Sequence, residues 1–206
     1  MLRQVLPELL DHLPADDPEA IRSRRDLRVI NFLMGNERWI VRQARRLAPA
    51  SITELGAGEG ILSGRLAMIA PVESYDLASR PTSLDPRVTW HQGDLFATTP
   101  ASGDLLVANL FLHHFEGESM KGLARWCSGF QSLCFVEPLR TPGALRLGAG
   151  MLPFVNRITR HDMPVSIRAG FLPGELSQWL ELDPGKWHVR EQTSWRGGIR
   201  VVAWRA

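Results

Sequence analysis

The chain has 206 residues, 44% of them hydrophobic and 22% charged, with a net charge of +2. That is ordinary soluble composition for one domain with a substantial core, and the near-neutral balance argues against a nucleic-acid partner. No run approaches the roughly 18 apolar residues of a membrane span, and Cys127 and Cys134 lack ligand or redox spacing.

The first 48 residues read as helices. Asp17-Pro18 is a cap followed by proline at the first helical position, and Ile21, Leu27, Ile30 and Leu33-Met34 supply an apolar stripe. Gly35-Asn36 ends that helix and Glu37 to Leu47 forms the next, whose Arg38, Arg42, Arg45 and Arg46 share a solvated face. Acids and prolines break the opening twenty residues before any signal-peptide core forms, so a cytoplasmic location is expected. Residues 51–137 then alternate strand and helix. Strands are expected at 51–55, 72–77, 87–91, 104–110 and 132–137, with helices over 60–70 and 116–127 between them. The run DLLVANL, residues 104–110, has the continuous apolar character of a strand covered on both faces. Proline and glycine punctuate residues 138–172, which read as an insertion with short helices. A helix follows to Leu180, and then two strands at 186–192 and 199–204, joined by the turn Trp195 to Gly198.

Strands alternating with helices specify an α/β, Rossmann-like, doubly wound sheet, mainly parallel and seven-stranded. The last two strands must pair antiparallel, because their short turn cannot carry a parallel crossover. One domain is expected: a helical cap (1–48), a cofactor-binding core (51–137), a substrate lid (138–172) with hinge glycines at 143, 148, 150 and 170, and a closing helix and strands (173–206).

The chemistry concentrates at the strand ends. Ile52-Thr53-Glu54-Leu55-Gly56-Ala57-Gly58-Glu59-Gly60 follows the first strand and opens a helix. Its glycines alternate as GxGxG, not the GxGxxG that cradles a pyrophosphate, and Glu54 adds negative charge that suits a cation better than a phosphate. The second strand ends in Tyr75-Asp76-Leu77, where an acid about twenty residues after the loop accepts ribose hydroxyls. The third runs into Gln92-Gly93-Asp94-Leu95-Phe96, an acid and flanking apolar groups suited to adenine. The fourth ends in Ala108-Asn109-Leu110-Phe111-Leu112-His113-His114-Phe115, at the mouth where open α/β sheets bind ligands.

In that order, ELGAGEG, YDL, QGDLF and ANLFLHHF resemble the motifs of class I S-adenosylmethionine-dependent methyltransferases. The resemblance implies S-adenosylmethionine as cofactor. Glu54, Gly56, Ala57 and Gly58 would line its methionine part, Asp76 beside Leu77 its ribose, Asp94 and Leu95 its adenine, and Asn109 and Leu110 the surroundings of the sulfonium. The N-terminal helices and Asn156 to Asp162 look more loosely like ubiquinone/menaquinone C-methyltransferases and polyketide-tailoring methyltransferases. That similarity implies a small aromatic, quinone-like or polyketide-like acceptor, methylated on oxygen or an activated carbon.

An acceptor of that kind must lose a proton, and histidine suits the task at neutral pH. His113 and His114 follow the fourth strand and His161 lies in the insertion, so these three are the candidate bases. The histidines form no metal-ligand pattern, and no metal is expected. Two alternatives compete: a non-catalytic cofactor-binding partner subunit, and a nicotinamide-dependent oxidoreductase. The latter predicts GxGxxG and a Tyr-x-x-x-Lys pair, whereas Tyr75 is the only tyrosine.

Overall fold

The computed structural model describes residues 1–206. Asp17 caps α1 (Pro18–Met34) by accepting from the N–H groups of Glu19 and Ala20, with Pro18 setting the first turn. Gly35, at φ 70°, ends α1 and starts α2 (Asn36–Leu47). The α/β core follows: β1 (Ile52–Leu55), α3 (Ile61–Leu66), β2 (Val72–Asp76), β3 (Val88–Gln92), β4 (Gly103–Asn109), α4 (Glu118–Ser128) and β5 (Phe130–Pro138). Beyond it lie α5 (Pro142–Met151), α6 (Arg157–Ala169), α7 (Glu175–Trp179), β6 (Trp187–Thr193) and β7 (Gly198–Arg205). The helix expected over 60–70 stops at Leu66 and finishes in turns.

All seven strands form one sheet in the order β3-β2-β1-β4-β5-β7-β6. Pairs among β1 to β5 are parallel, while β7 runs antiparallel to both β5 and β6. The doubly wound sheet closing in an antiparallel hairpin is thus the observed topology. Alternation along the central strands divides the core in two. Leu106, Ala108, Leu133 and Phe135 face Met120, Leu123 and Trp126 of α4, while Leu105, Val107, Cys134 and Val136 face Ile40 and Ala44 of α2 and Leu62 and Leu66 of α3.

The segment expected as a lid is built into a larger cap. On α6, Thr159 Oγ1 meets Ser23 Oγ of α1 at 2.9 Å in a buried contact, and the capping Asn156 donates its backbone N–H to Asp26 Oδ2 and its Nδ2 to the Glu19 carbonyl. Asp162 accepts from the N–H groups of Leu9 and Leu10 at 2.8 and 3.0 Å. These bonds tie α1, α6 and residues 9–10 into one layer. Two of the expected hinge glycines are packing glycines instead. A Cβ on Gly170 would lie 2.2 Å from the Pro138 carbonyl oxygen, and one on Gly148 would press on Met163 and Ile167.

Candidate active site

The loop after β1 and the tip of β2 hold one another. Gly56, Gly58 and Gly60 all have φ between 56° and 71°, the left-handed region that side chains resist. That bend aims the Gly58 N–H at Asp76 Oδ2, 2.7 Å away, while Ala78 donates to Asp76 Oδ1 at 2.8 Å. Two backbone donors thus fix a carboxylate whose remaining lone pairs are free to accept. A Cβ built on Gly58 meets no protein atom within 4 Å, so the space above it is open, whereas one on Gly56 would strike the Phe111 ring. Glycine is needed at Gly56 because Phe111 lies against it, and is favoured at Gly58 because a φ of 56° strains any side chain.

Glu54 departs from its expected role as a negative charge lining the cleft. It is fully buried and accepts from Ser63 Oγ at 2.5 Å, with Ser74 donating to Ser63 behind it. Burial pushes its carboxyl up to about 8, with Glu37 and Asp76 adding to the rise against the Ser63 hydrogen bond. At neutral pH it is an uncharged support of the loop.

The third-strand loop is also more structural than expected. Asp94 caps the turn Leu95–Ala97 by accepting from the Phe96 N–H at 2.9 Å. Leu95 is buried in the core, Phe96 is partly exposed, and Leu77 is exposed. Edge-to-face contacts run from Phe96 to Phe115 and from Phe115 to Phe111, joining this loop to the glycine loop through an aromatic wall. Ala57 is buried. Leu110 adopts φ 54°, a rare conformation for a bulky residue, and places Phe111 after a sharp turn at the end of β4.

Asn109, the last residue of β4, is roofed by α1. Its Nδ2 donates to Asn31 Oδ1 at 3.1 Å. One turn earlier on the same helix, Arg28 pairs with Glu59 of the glycine loop at 3.1 Å.

Two of the three histidines meet residues 8–11 directly, and the third meets Asp162, which binds Leu9 and Leu10; the sequence reading placed this segment only in the helical cap. His113 Nδ1 lies 2.8 Å from Glu137 Oε2 and its Nε2 lies 3.6 Å from Glu8. Burial opposes its charge, but the carboxylates of Glu137 and Glu8 outweigh burial and raise its pKa to about 9. His113 is thus an imidazolium at neutral pH, which removes it as a general base. His114 lies 3.7 Å from Asp11, and burial followed by the His113 charge lowers it to about 4. It stays neutral but is a weak proton acceptor. It lines a cavity of about 330 Å³ with Val5, Asp11, Phe115 and Glu116. His161, largely exposed, sets Nδ1 2.9 Å from Asp162 Oδ1, a carboxylate-oriented imidazole with its second nitrogen free.

These shifts give a pH prediction. The raised carboxyl of Glu54 keeps a proton in the folded state that the unfolded chain releases above its ordinary value of 4.5, so this group costs stability as pH rises toward 8. The raised His113 contributes stability that is complete below 6.5 and is lost as pH climbs through about 9. Both signs agree, and Tm should fall from pH 6.5 to 9. Glu54→Gln, neutral at every pH, should flatten the decline between pH 5 and 8. At about 2–4 °C per kcal/mol for a domain this size, calorimetry resolves the difference.

A second expected result concerns Asp76→Ala. It removes the acceptor opposite the glycine loop and with it two charge-assisted hydrogen bonds, each worth roughly 1.5–3 kcal/mol. Affinity for S-adenosylhomocysteine should drop at least about a hundredfold with the far-UV spectrum unchanged, as titration calorimetry would show. Equal affinity would mean that Asp76 only anchors Gly58 and Ala78.

No protein-family model matches the chain, and no curated protein matches it. Solved structures do. The plantazolicin methyltransferase BamL, in complex with a triazolic desmethylPZN analog and SAH, aligns over 95% of this chain and 92% of its own at 10% identity, with a TM-score of 0.73. Human N-acetylserotonin methyltransferase in complex with SAM aligns over 94% of this chain and 60% of its own at 14% identity, with a TM-score of 0.62. The methyltransferase domain of bacterial CtHen1-C aligns over 83% and 97% at 13% identity, with a TM-score of 0.61. At these identities the likeness establishes the fold: this chain has the class I methyltransferase fold. No helix is long and apolar enough to cross a membrane.

Proposed function

We propose that the chain is an S-adenosylmethionine-dependent methyltransferase acting on a small molecule. The observation that carries this reading is the open, positive-φ turn at Gly58 held against the Asp76 carboxylate, a cradle with room above its backbone and an anionic acceptor beside it. Gly56 to Gly58 would take the amino-acid tail and Asp76 the ribose hydroxyls. Asp94 and Phe96 would border the adenine, with Leu95 behind them in the core, and Asn109 and Leu110 the sulfonium end. When bound, the cofactor supplies an electrophilic methyl group on sulfur. The protein's part is to align the acceptor with that methyl and to exclude water, which α1, Phe111 and the cap do by covering the strand ends. Where the acceptor is a hydroxyl, its proton needs a base, and the Asp162-oriented His161, whose second nitrogen is free, is our candidate among the three. An aromatic, quinone-like or polyketide-like acceptor suits the apolar cap, which carries Leu147, Met151, Leu152 and Phe154.

Thermal shift tests the reading. S-adenosylhomocysteine at a hundred times its dissociation constant should stabilise the chain by about 2.7 kcal/mol, while NADH at equal concentration should leave Tm unchanged. A shift with NADH and none with S-adenosylhomocysteine would overturn the cofactor assignment in favour of an oxidoreductase.

A further inference from the structure

Glu8, Asp11, His113, His114, Glu137 and Asp162 gather where residues 8–11 meet the turn after β4. Glu8, His113, Glu137 and Asp162 are all buried. The ion pairs that lysine and arginine make all lie elsewhere in the chain. The four carboxylates are met only by backbone N–H groups, by Ser166 and by imidazoles. Burying this much negative charge is costly unless a cation meets it.

Glu8, His113 and His114 form the inner group. Each offers one ligand atom, and these atoms lie within 4.8 Å of one another. His113 Nε2 and Glu8 Oε1 are 3.6 Å apart, too far for a hydrogen bond. Two ligands held tetrahedrally at about 2.0–2.2 Å from a zinc ion stand about 3.4 Å apart, so that gap has the width of a shared ion. Both groups are also fixed from behind. Glu137 Oε2 lies 2.8 Å from His113 Nδ1, which leaves Nε2 to face the group, and Ser166 Oγ donates to Glu8 Oε1. A carboxylate on the second ring nitrogen is the usual support of a metal-bound histidine, because it sets the tautomer and the ring's orientation. His114 is on the partly exposed side and closes the group by a side-chain rotation. With Asp11 it also lines the cavity of about 330 Å³.

We propose that Glu8, His113 and His114 bind one divalent ion of the zinc class, with its fourth position open to that cavity. Two imidazoles and one carboxylate make up the protein ligands of zinc sites that accept a further ligand, whereas structural zinc sites use four protein ligands. An oxygen donor in the cavity completes the tetrahedron. The ion takes the place of the proton on His113 Nε2, which binding releases. No histidine spacing announces this site, because its carboxylate comes from the N-terminal segment and its imidazoles from the end of β4. The inference goes beyond the methyl-transfer reading and does not depend on it.

Calorimetric titration of the metal-free full chain with Zn²⁺ should show one ion per chain. Glu8→Gln and His114→Ala should each weaken binding by about tenfold or more, and Ser166→Ala, which releases Glu8, severalfold. His188→Ala removes an exposed imidazole on β6 and should leave the affinity unchanged. Zinc should also raise the Tm of the wild-type chain but not that of His114→Ala. If Glu8→Gln fails to fold, His114→Ala decides, since it removes the partly exposed member of the group. Equal zinc affinity in the wild type and His114→Ala would place the ion on surface groups and overturn the inference, as would the absence of stoichiometric binding by the wild type. Either result leaves the reading of the glycine loop standing, which S-adenosylhomocysteine binding tests separately.

Discussion

Glu137→Leu is expected to destabilise the chain more than any other single substitution in the site region. Glu137, fully buried at the end of β5, accepts from the N–H groups of Phe111, Leu112 and His113 at 3.0, 2.8 and 3.2 Å and pairs with the His113 ring. Leucine matches its bulk but leaves three backbone donors unpaired and the His113 ring with Glu8 as its one remaining carboxylate. Removing one partner of a buried ion pair costs about 3–5 kcal/mol, a large part of a total stability of roughly 5–15 kcal/mol. At about 2–4 °C per kcal/mol, Tm should fall by at least about 6 °C. Glu137→Gln keeps a carbonyl for the backbone donors and should recover part of the loss. A Tm within 2 °C (roughly the effect of 1 kcal/mol) of wild type for the leucine variant would show that the β4 loop is held by other contacts.

The second large effect is expected for binding. Gly58→Val should abolish measurable S-adenosylhomocysteine affinity while the fold survives. The variant's side chain meets no protein atom, so the folded chain bears only the strain of φ 56° in a β-branched residue, about 1–3 kcal/mol. The new methyl groups project into the space where the ligand must approach the backbone. Gly170→Ala is the informative contrast. Its Cβ would press on the Pro138 carbonyl, lowering stability with no direct effect on affinity. Binding by Gly58→Val within about threefold of wild type, less than 1 kcal/mol, would remove the glycine loop from the cofactor site.

The strands and the order of their motifs were legible because they are local. A buried strand shows as an apolar run such as DLLVANL, and the Asp17-Pro18 cap and the Gly35 break mark helix ends within a few residues. The doubly wound sheet follows from the alternation of strands and helices, and its closing hairpin from the short last connection. The contacts that decide the state of the site are not local. His113 is made cationic by Glu8 and Glu137, and Asp162 is engaged by Leu9 and Leu10, 153 and 152 residues away. No periodicity connects such partners, so His113 read as a candidate base and residues 1–12 read only as part of a helical cap. Glu54 shows the same limit. A glutamate before a glycine loop reads as a charge, and only the depth at which β1 lies turns it into a neutral group bonded to Ser63. Leu95 read as an adenine neighbour because an apolar residue after an acid has the right chemistry. The turn it starts sends its side chain into the core and leaves Phe96 outside.

A crystal structure of the chain grown with S-adenosylhomocysteine bears on the central claim most directly. The expected result is one ligand per chain across the tips of β1, β2 and β4, with its amino-acid tail against Gly56 to Gly58, its ribose hydroxyls on Asp76 and its sulfur beside Asn109. A ligand bound elsewhere, or no ligand over Gly58 at saturating concentration, would contradict the assignment of this cleft to methyl transfer.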